Sequence, residues 1–352
     1  LYSLISLGQN EKSNGNSQKE NAQHPGYYEQ WFQEKKDANG QIPPFLRSQW
    51  AQYDAKKLDR RAGNSPIDTV IELGPNNVAG RTRALWVDPR NEKIILAGAI
   101  SGGLWRSENG GTSWKPINEH EVSMMPSALT SNPYNHNEVY YGTGESRANS
   151  ADVDGEGVFK STDGGKTFNQ LSSTVKLNGF NAIWDIEHSE IDSQTIFVGT
   201  NNYGLYRSTD GGATWSIAYN GGNKQVTDVV CLPNGRVMAT MQSNLVVASD
   251  SNGKPGTFKT LTFPSAPNAG TYRTIKLDYC QKFPKVVFAV FEGFAFDAAP
   301  VAFYKSSDGG NTWKAKTAPT AAGPGYQAYC MVMGAHPTDT NSIVVGGRDI
   351  CR

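Results

Sequence analysis

The chain has 352 residues, 38% of them hydrophobic and only 19% charged, enough apolar mass for a packed core and too much for general disorder. Thirty-three basic residues balance thirty-three acidic ones, so no net field attracts a nucleic-acid backbone or an anionic membrane, and neither is expected as a partner. No run reaches the roughly 18 apolar residues of a spanning helix, so no transmembrane segment is expected.

In chain order, Leu1 to Gly8 reads either as the tail of a signal-peptide apolar region, with Ser6 and Gly8 before a cut at Gln9, or as a short apolar segment packed on the domain. Asn10 to His24 is polar and reads as a solvated linker, so residues 1–24 form no core. Residues 25–70 form an extension with two short amphipathic helices, one near Tyr27 to Phe32 and one near Phe45 to Trp50, separated by Gly40, Pro43 and Pro44. From residue 71 to 352 the pattern changes to short apolar runs between turn residues, rich in Gly and aromatics.

The first such unit has strands at Arg83 to Val87, Ile94 to Gly98 and Gly103 to Arg106, a turn at Asp88-Pro89, and a fourth strand from Trp114. Between the third and fourth strands lies Ser107-Glu108-Asn109-Gly110-Gly111-Thr112-Ser113-Trp114. The cassette returns as Ser161-Thr162-Asp163-Gly164-Gly165-Lys166-Thr167-Phe168, Ser208-Thr209-Asp210-Gly211-Gly212-Ala213-Thr214-Trp215 and Ser306-Ser307-Asp308-Gly309-Gly310-Asn311-Thr312-Trp313. A degenerate copy occupies Ser249 to Gly253, and the spacing, about 40 to 57 residues, is that of propeller blades. A sixth unit begins at Tyr329 and stops before its cassette. The expected fold is therefore all-β: a β-propeller of four-stranded blades, present as an incomplete ring of about five and a half, with a short helical N-terminal extension. An open ring leaves a blade face bare, so the chain is expected to be part of something longer.

Each cassette reads as a hairpin turn. Asp-Gly or Asn-Gly supplies the positive φ angles, the Ser and Asp oxygens accept backbone N–H bonds, and the closing aromatic packs on a neighbouring blade. The cassettes resemble the Asp-box (BNR) repeat of sialidases, xyloglucan-degrading glucanases and sortilin-type receptors. That resemblance implies that Ser107, Asn109, Trp114, Ser161, Asp163, Phe168, Ser208, Asp210, Trp215, Ser306, Asp308 and Trp313 are structural. The run Ile71 to Arg83 resembles propeller openings of secreted Bacteroidota proteins that often carry a type IX sorting domain.

Catalytic candidates are sparse. The Arg-Ile-Pro that announces a sialidase is missing, which leaves Arg81 and Arg83 as surface or inter-blade ion-pairing residues more readily than substrate ligands. A glucanase needs two opposed carboxylates, and Asp185, Asp228 and Asp278, in or beside inner strands, are the best placed. The loop 144–157 offers Asp152, Asp154 and Glu156 to Ca²⁺, but lacks a complete calcium-loop pattern, and no other cofactor is expected. Of four cysteines, Cys231, Cys280 and Cys330 open repeats and read as buried thiols, with Cys330 to Cys351 the best disulfide if one forms. The expected function is a secreted or cell-surface module that binds or displays protein or glycan through loops 144–157 and 294–300, as secretion cargo or a subunit of an envelope assembly. The alternative is a glycoside hydrolase of sialidase or xyloglucanase type with its site at the propeller mouth.

Overall fold

A computed structural model describes residues 82–100, 102–117, 125–145, 154–222, 224–242, 245–267, 272–293, 300–318, 331–346 and 350–351, the backbone alone being described at 272, 273, 300, 301, 350 and 351. The expected extension helices and Arg81 lie outside these residues. The described residues form five four-stranded antiparallel sheets and one of three strands, each in up-and-down order. The first sheet is β1 (Thr82–Val87), β2 (Ile95–Ala99), β3 (Gly103–Ser107) and β4 (Lys115–Ile117); the second is β5 (Pro126–Asn132), β6 (Asn135–Thr143), β7 (Val158–Ser161) and β8 (Asn169–Gln170). The third is β9 (Ile183–His188), β10 (Ile196–Thr200), β11 (Leu205–Ser208) and β12 (Ser216–Tyr219); the fourth is β13 (Val226–Cys231), β14 (Val237–Met241), β15 (Leu245–Ser249) and β16 (Lys259–Thr260). The fifth is β17 (Tyr272–Tyr279), β18 (Val287–Gly293), β19 (Pro300–Ser306) and β20 (Lys314–Lys316), and the sixth is β21 (Val332–Ala335), β22 (Ile343–Gly346) and β23 (Ile350–Cys351). The first strand of each sheet touches the first strand of the next, so β1, β5, β9, β13, β17 and β21 line the inside of the array. The strand expected at Arg83 to Val87 is found as β1, and the sixth unit expected from Tyr329 has its first strand at Val332–Ala335, because apolar runs bounded by Pro, Gly and Asn encode them locally.

The cassettes close the outer hairpins through one hydrogen-bond pattern. Ser161 Oγ donates to Asp163 Oδ1 at 2.7 Å and accepts the N–H groups of Asp163 and Gly165, while Asp163 Oδ1 accepts the Thr167 N–H and Oδ2 accepts the Thr167 hydroxyl. Ser208 with Asp210 and Ser306 with Asp308 repeat it. In the first sheet Asn109 keeps the acceptor side but donates from Nδ2 to Ser113 Oγ at 2.8 Å, so the hydroxyl changes from donor to acceptor and the turn survives without charge. In the degenerate copy Ser249 Oγ meets Thr257 Oγ1 at 2.5 Å across the inserted residues, and Asp250 turns away to pair with Arg236.

Burial pushes the Asp308 carboxyl up, but donors from Thr312, Ser306 and Asn311 outweigh it and hold the group at about 2; Asp163 behaves alike. Because the folded value lies below the ordinary value of about 4, the stabilisation is complete above pH ~4 and is lost as pH falls toward about 2. Asp308→Ala should cost about 1–2 kcal/mol at pH 6, discounted for partial solvent access, and urea midpoints should show a shallower loss between pH 4 and 2 than the unchanged protein.

The second glycine of the cassette also sits against the preceding blade. A Cβ on Gly165 would lie 2.7 Å from Leu96, on Gly212 2.5 Å from Leu171, on Gly253 2.3 Å from Phe197 and on Gly310 2.8 Å from Met238. Apolar side chains also stack the blades, as where Phe197 of β10 joins Val229, Val237 and Val247 of the fourth sheet. Cys231 and Cys280 are buried free thiols, in accord with their reading as small core residues, while Cys330 lies outside the described residues.

Candidate functional site

Three inner strands each carry a carboxylate that binds the backbone of the next blade. Asp185 on β9 accepts its own Ile186 N–H at 2.9 Å and, with the other oxygen, the Val229 N–H of β13 at 2.7 Å. Asp228 on β13 accepts the Leu277 N–H of β17 at 2.7 Å, and Asp278 on β17 accepts the Ala335 N–H of β21, also at 2.7 Å. Successive sheets share no β-ladder, so these bonds are polar staples between blades. Register shifts beside Asp185 and Asp228 mark bulges, the device by which a strand re-aims a side chain.

Lys276 completes the group. Its Nζ lies 2.6 Å from Asp228 Oδ1 and donates to Thr227 O at 3.0 Å. The lysine faces Val290, as Asp228 faces Thr240 and Asp185 faces Gly199, so the three occupy one level of successive inner strands. Burial, reinforced by Asp228 and opposed by Lys276, raises the Asp185 carboxyl to about 7. Burial also raises Asp278 to about 6 against the N–H bonds it accepts. Glu187 is pushed well up by burial and by the charges of Asp185 and Asp228, and burial raises Asp228 despite Lys276. For Lys276 burial acts downward, yet Asp228 and Asp185 prevail and raise it. Burial thus shifts these carboxyl groups toward keeping a proton, beside the cation of Lys276. Two accepted N–H bonds still leave a carboxylate lone pairs for a proton.

Toward the loop between β6 and β7, Arg83 of β1 pairs with Glu145 at 3.4 Å, an ion pair between the first and second blades. Asn181 donates to Asp154 Oδ1 at 2.7 Å and its carbonyl accepts the Gly155 N–H at 2.7 Å. Glu156 is buried, with its N–H given to Thr143 Oγ1 and its carbonyl accepting from Gln170. Asp152 lies outside the described residues. Among the described residues no three His, Cys, Asp or Glu side chains stand together as metal ligands. Gln225 donates to Asn201, adding amides beside this end of the third and fourth blades.

The structure thus brings Asp185 and Asp228 together through Lys276 and sets Asp278 one staple further on. Their carboxylates accept backbone N–H groups of a neighbouring blade that is distant in sequence. Lys276 and Glu187 were not singled out by sequence, whereas Glu145 falls in the loop 144–157 that was. The alternation Ile275-Lys276-Leu277-Asp278 could have marked Lys276 as sharing a face with Asp278.

Repeated four-stranded sheets, joined at their inner strands and closed by Ser/Asp cassettes, define an Asp-box β-propeller. The BNR/Asp-box repeat family matches residues 206–216, the third cassette and the end of the strand before it. Over 145 residues the chain is 31% identical to a xyloglucanase of Paenibacillus sp., a match spanning 40% of this chain and 11% of that enzyme. A GH74 enzyme of Niastella koreensis superposes with a TM-score of 0.59 at 20% identity, over 77% of this chain and 44% of that one. The outer coat vertex of COPII on membranes superposes with a TM-score of 0.52 at 13% identity, over 78% and 69% of the two chains. These structural likenesses establish the fold, which an enzyme and a coat protein share. No helix of the described residues is long and apolar enough to cross a membrane.

Proposed function

We propose that the chain is part of a glycan-acting propeller of xyloglucanase type, working outside the cytoplasm, with a β-glucan as ligand class. The observation that carries this is the 31% identity to a xyloglucanase over 145 residues, which favours hydrolysis over simple display. A β-glucan is neutral and hydroxyl-rich, and a chain of zero net charge with amides and carboxyls at its inner strands suits such a ligand. Asp185 and Asp278, holding protons to about 7 and about 6, are the proposed acids. A second reading, binding without turnover, is favoured by the engagement of Asp185, Asp228 and Asp278 with backbone N–H groups.

Xyloglucan and mixed-linkage β-glucan, tested for gel retardation and for release of reducing ends, separate the readings. Retention is expected, with reducing-end release that falls at least tenfold, about 1.4 kcal/mol or more of barrier, in Asp185→Asn or Asp278→Asn while retention persists. Retention without release selects the binding reading, and neither effect removes the glycan assignment.

A further inference from the structure

In an Asn-Gly pair the side-chain amide carbon lies within reach of the next backbone nitrogen, and glycine brings no Cβ to hinder their approach. Five such pairs fall among the described residues, at Asn109, Asn178, Asn220, Asn234 and Asn252. Three are held by bonds. In the first cassette Asn109 Oδ1 accepts the Ser113 N–H, its Nδ2 donates to Ser113 Oγ, and the Gly110 N–H is committed to Lys93 O at 2.9 Å. Asn234 Oδ1 accepts the Arg236 N–H at 3.1 Å, while the Gly235 N–H donates to Leu232 O at 2.9 Å. Asn252 Oδ1 accepts the Ser189 hydroxyl of the preceding blade at 2.8 Å, and Gly253 is pressed against Phe197, where a Cβ would lie 2.3 Å away.

The other two stand in connections that lead to inner strands, Asn178 before β9 and Asn220 before β13. Both are exposed, and among the described residues neither side chain, nor the N–H of the glycine after it, has a hydrogen-bond partner. They differ in what surrounds that glycine. Gly179 is buried, a Cβ on it would lie 2.9 Å from Tyr203 and 3.1 Å from Thr200, and the Phe180 N–H closes the turn on Leu177 O at 3.1 Å. Gly221 is followed by a second glycine, and both have positive φ, +62° and +74°. The atoms nearest a Cβ on Gly221 are the movable ends of Met241 and Tyr219, and a Cβ on Gly222 would meet nothing within 4 Å. The peptide plane after Asn220 can therefore turn where the one after Asn178 is held.

We propose that Asn220 is a site of spontaneous covalent modification, at which the Gly221 nitrogen attacks the Asn220 side-chain carbonyl carbon and water completes the change from amide to acid. In the first step the bond from the Gly221 nitrogen to Cγ forms, that nitrogen gives its proton to solvent, and the bond from Cγ to Nδ2 breaks with release of ammonia. A cyclic imide remains. Water then adds to one of its two carbonyl carbons: opening at Cγ gives aspartate, and opening at the Asn220 backbone carbonyl gives isoaspartate, whose chain runs through Cγ. No electrons are gained or lost. Either product adds a negative charge to a chain whose formal net charge is zero. The charge falls at the end of the third blade where a Cβ on Gly204 would lie 2.9 Å from Asn220 Cα, beside the Gly204 carbonyl that accepts the Thr200 hydroxyl. The same connection leads on to Gln225, which donates to Asn201. The inference rests on hydrogen bonding and backbone geometry and is independent of the glycan reading.

The folded protein as its source makes it, aged at mildly alkaline pH in heavy-oxygen water and mapped by peptide mass spectrometry, tests this. The Asn220 peptide should gain the acid and its heavy oxygen at least tenfold faster than the peptides of Asn109, Asn234 and Asn252, and faster than that of Asn178. Isoaspartate at position 220 should be detected by an isoaspartate-specific methyltransferase. In urea the rates should draw together, because the fold no longer restrains any of the pairs. A lead of less than tenfold over the three bonded pairs, or none over Asn178, overturns the inference. So does a ranking that survives in urea, which would assign it to neighbours in sequence rather than to the fold, and so does aspartate formed without isoaspartate, which would mean direct hydrolysis of the side chain.

Discussion

Replacing Lys276 by methionine should lower stability by about 3 kcal/mol at pH 7.5 and by much less at pH 5. Methionine keeps the apolar stem and removes the ammonium group, so Asp228 is left on an inner strand with its charge uncompensated. The figure is taken from the lower end of the range for breaking a buried pair, because the Lys276 side chain retains 20% exposure. The pH dependence follows from the direction of the shifts. Asp185 at about 7 and Asp278 at about 6 lie above the ordinary aspartate value, and Glu187 and Asp228 are raised as well. Folded protein therefore holds more protons than unfolded protein between pH ~4 and ~7, and stability present below that window is lost as pH rises through it. Without Lys276 the carboxylates repel one another unopposed, so the loss on raising pH should steepen. The double change Asp228→Asn with Lys276→Met removes both charges, leaves an amide oxygen for the Leu277 N–H, and should recover more than half of the loss. Urea midpoints of the three proteins at pH 5 and 7.5 decide: an equal loss at both pH values would show that the effect does not come from the charge on Asp228.

The two sets of acids pull stability in opposite directions along the pH axis. Cassette aspartates, held at about 2, favour the fold once pH exceeds ~4, whereas the inner-strand acids, held at about 6 to 7, favour it fully only below ~4 and lose that contribution as pH rises toward ~7. Maximum stability should therefore fall near pH ~4, which a thermal-midpoint series checks.

What sequence could convey divides along the same line. The four regular cassettes were legible because their internal bonds join residues no more than four apart: Ser161 finds Asp163 and Gly165 whatever the rest of the chain does. Inner strands were legible because their apolar runs end at turn residues. The staples were not, because Asp185 reaches Val229 and Asp278 reaches Ala335 across sequence gaps that only blade stacking closes. An acid on an inner strand looks the same in sequence whether it faces substrate, water or a neighbour's amide. Even within the cassette, the packing partner of its aromatic escaped: Phe168 is buried and Trp114 exposed, although their local sequences agree.

Gly144→Ala should cost about 3 kcal/mol or more, whereas Gly309→Ala should cost only about 1–2. Both glycines have positive φ, +95° and +75°, so alanine strains the backbone at either site. The difference is space. A Cβ on Gly309 meets nothing within 4 Å, while one on Gly144 would lie 2.1 Å from the Asn181 carbonyl oxygen and 2.8 Å from the Gly155 nitrogen. Those two atoms are partners in a 2.7 Å hydrogen bond that ties the β6–β7 loop to the segment entering β9, and both are backbone, which no rotamer change can move. Relief requires the third blade to shift from the second at the end where Asp154, Asn181 and Glu145 lie, so hydrogen exchange at Gly155 and Ala182 should accelerate in Gly144→Ala and stay unchanged in Gly309→Ala. Equal losses in the two variants would mean that strain alone sets the cost and that this end of the blade interface yields freely; unequal losses with faster exchange at Gly155 would establish the bond between the loop and Asn181 as a rigid element of the interface between the second and third blades.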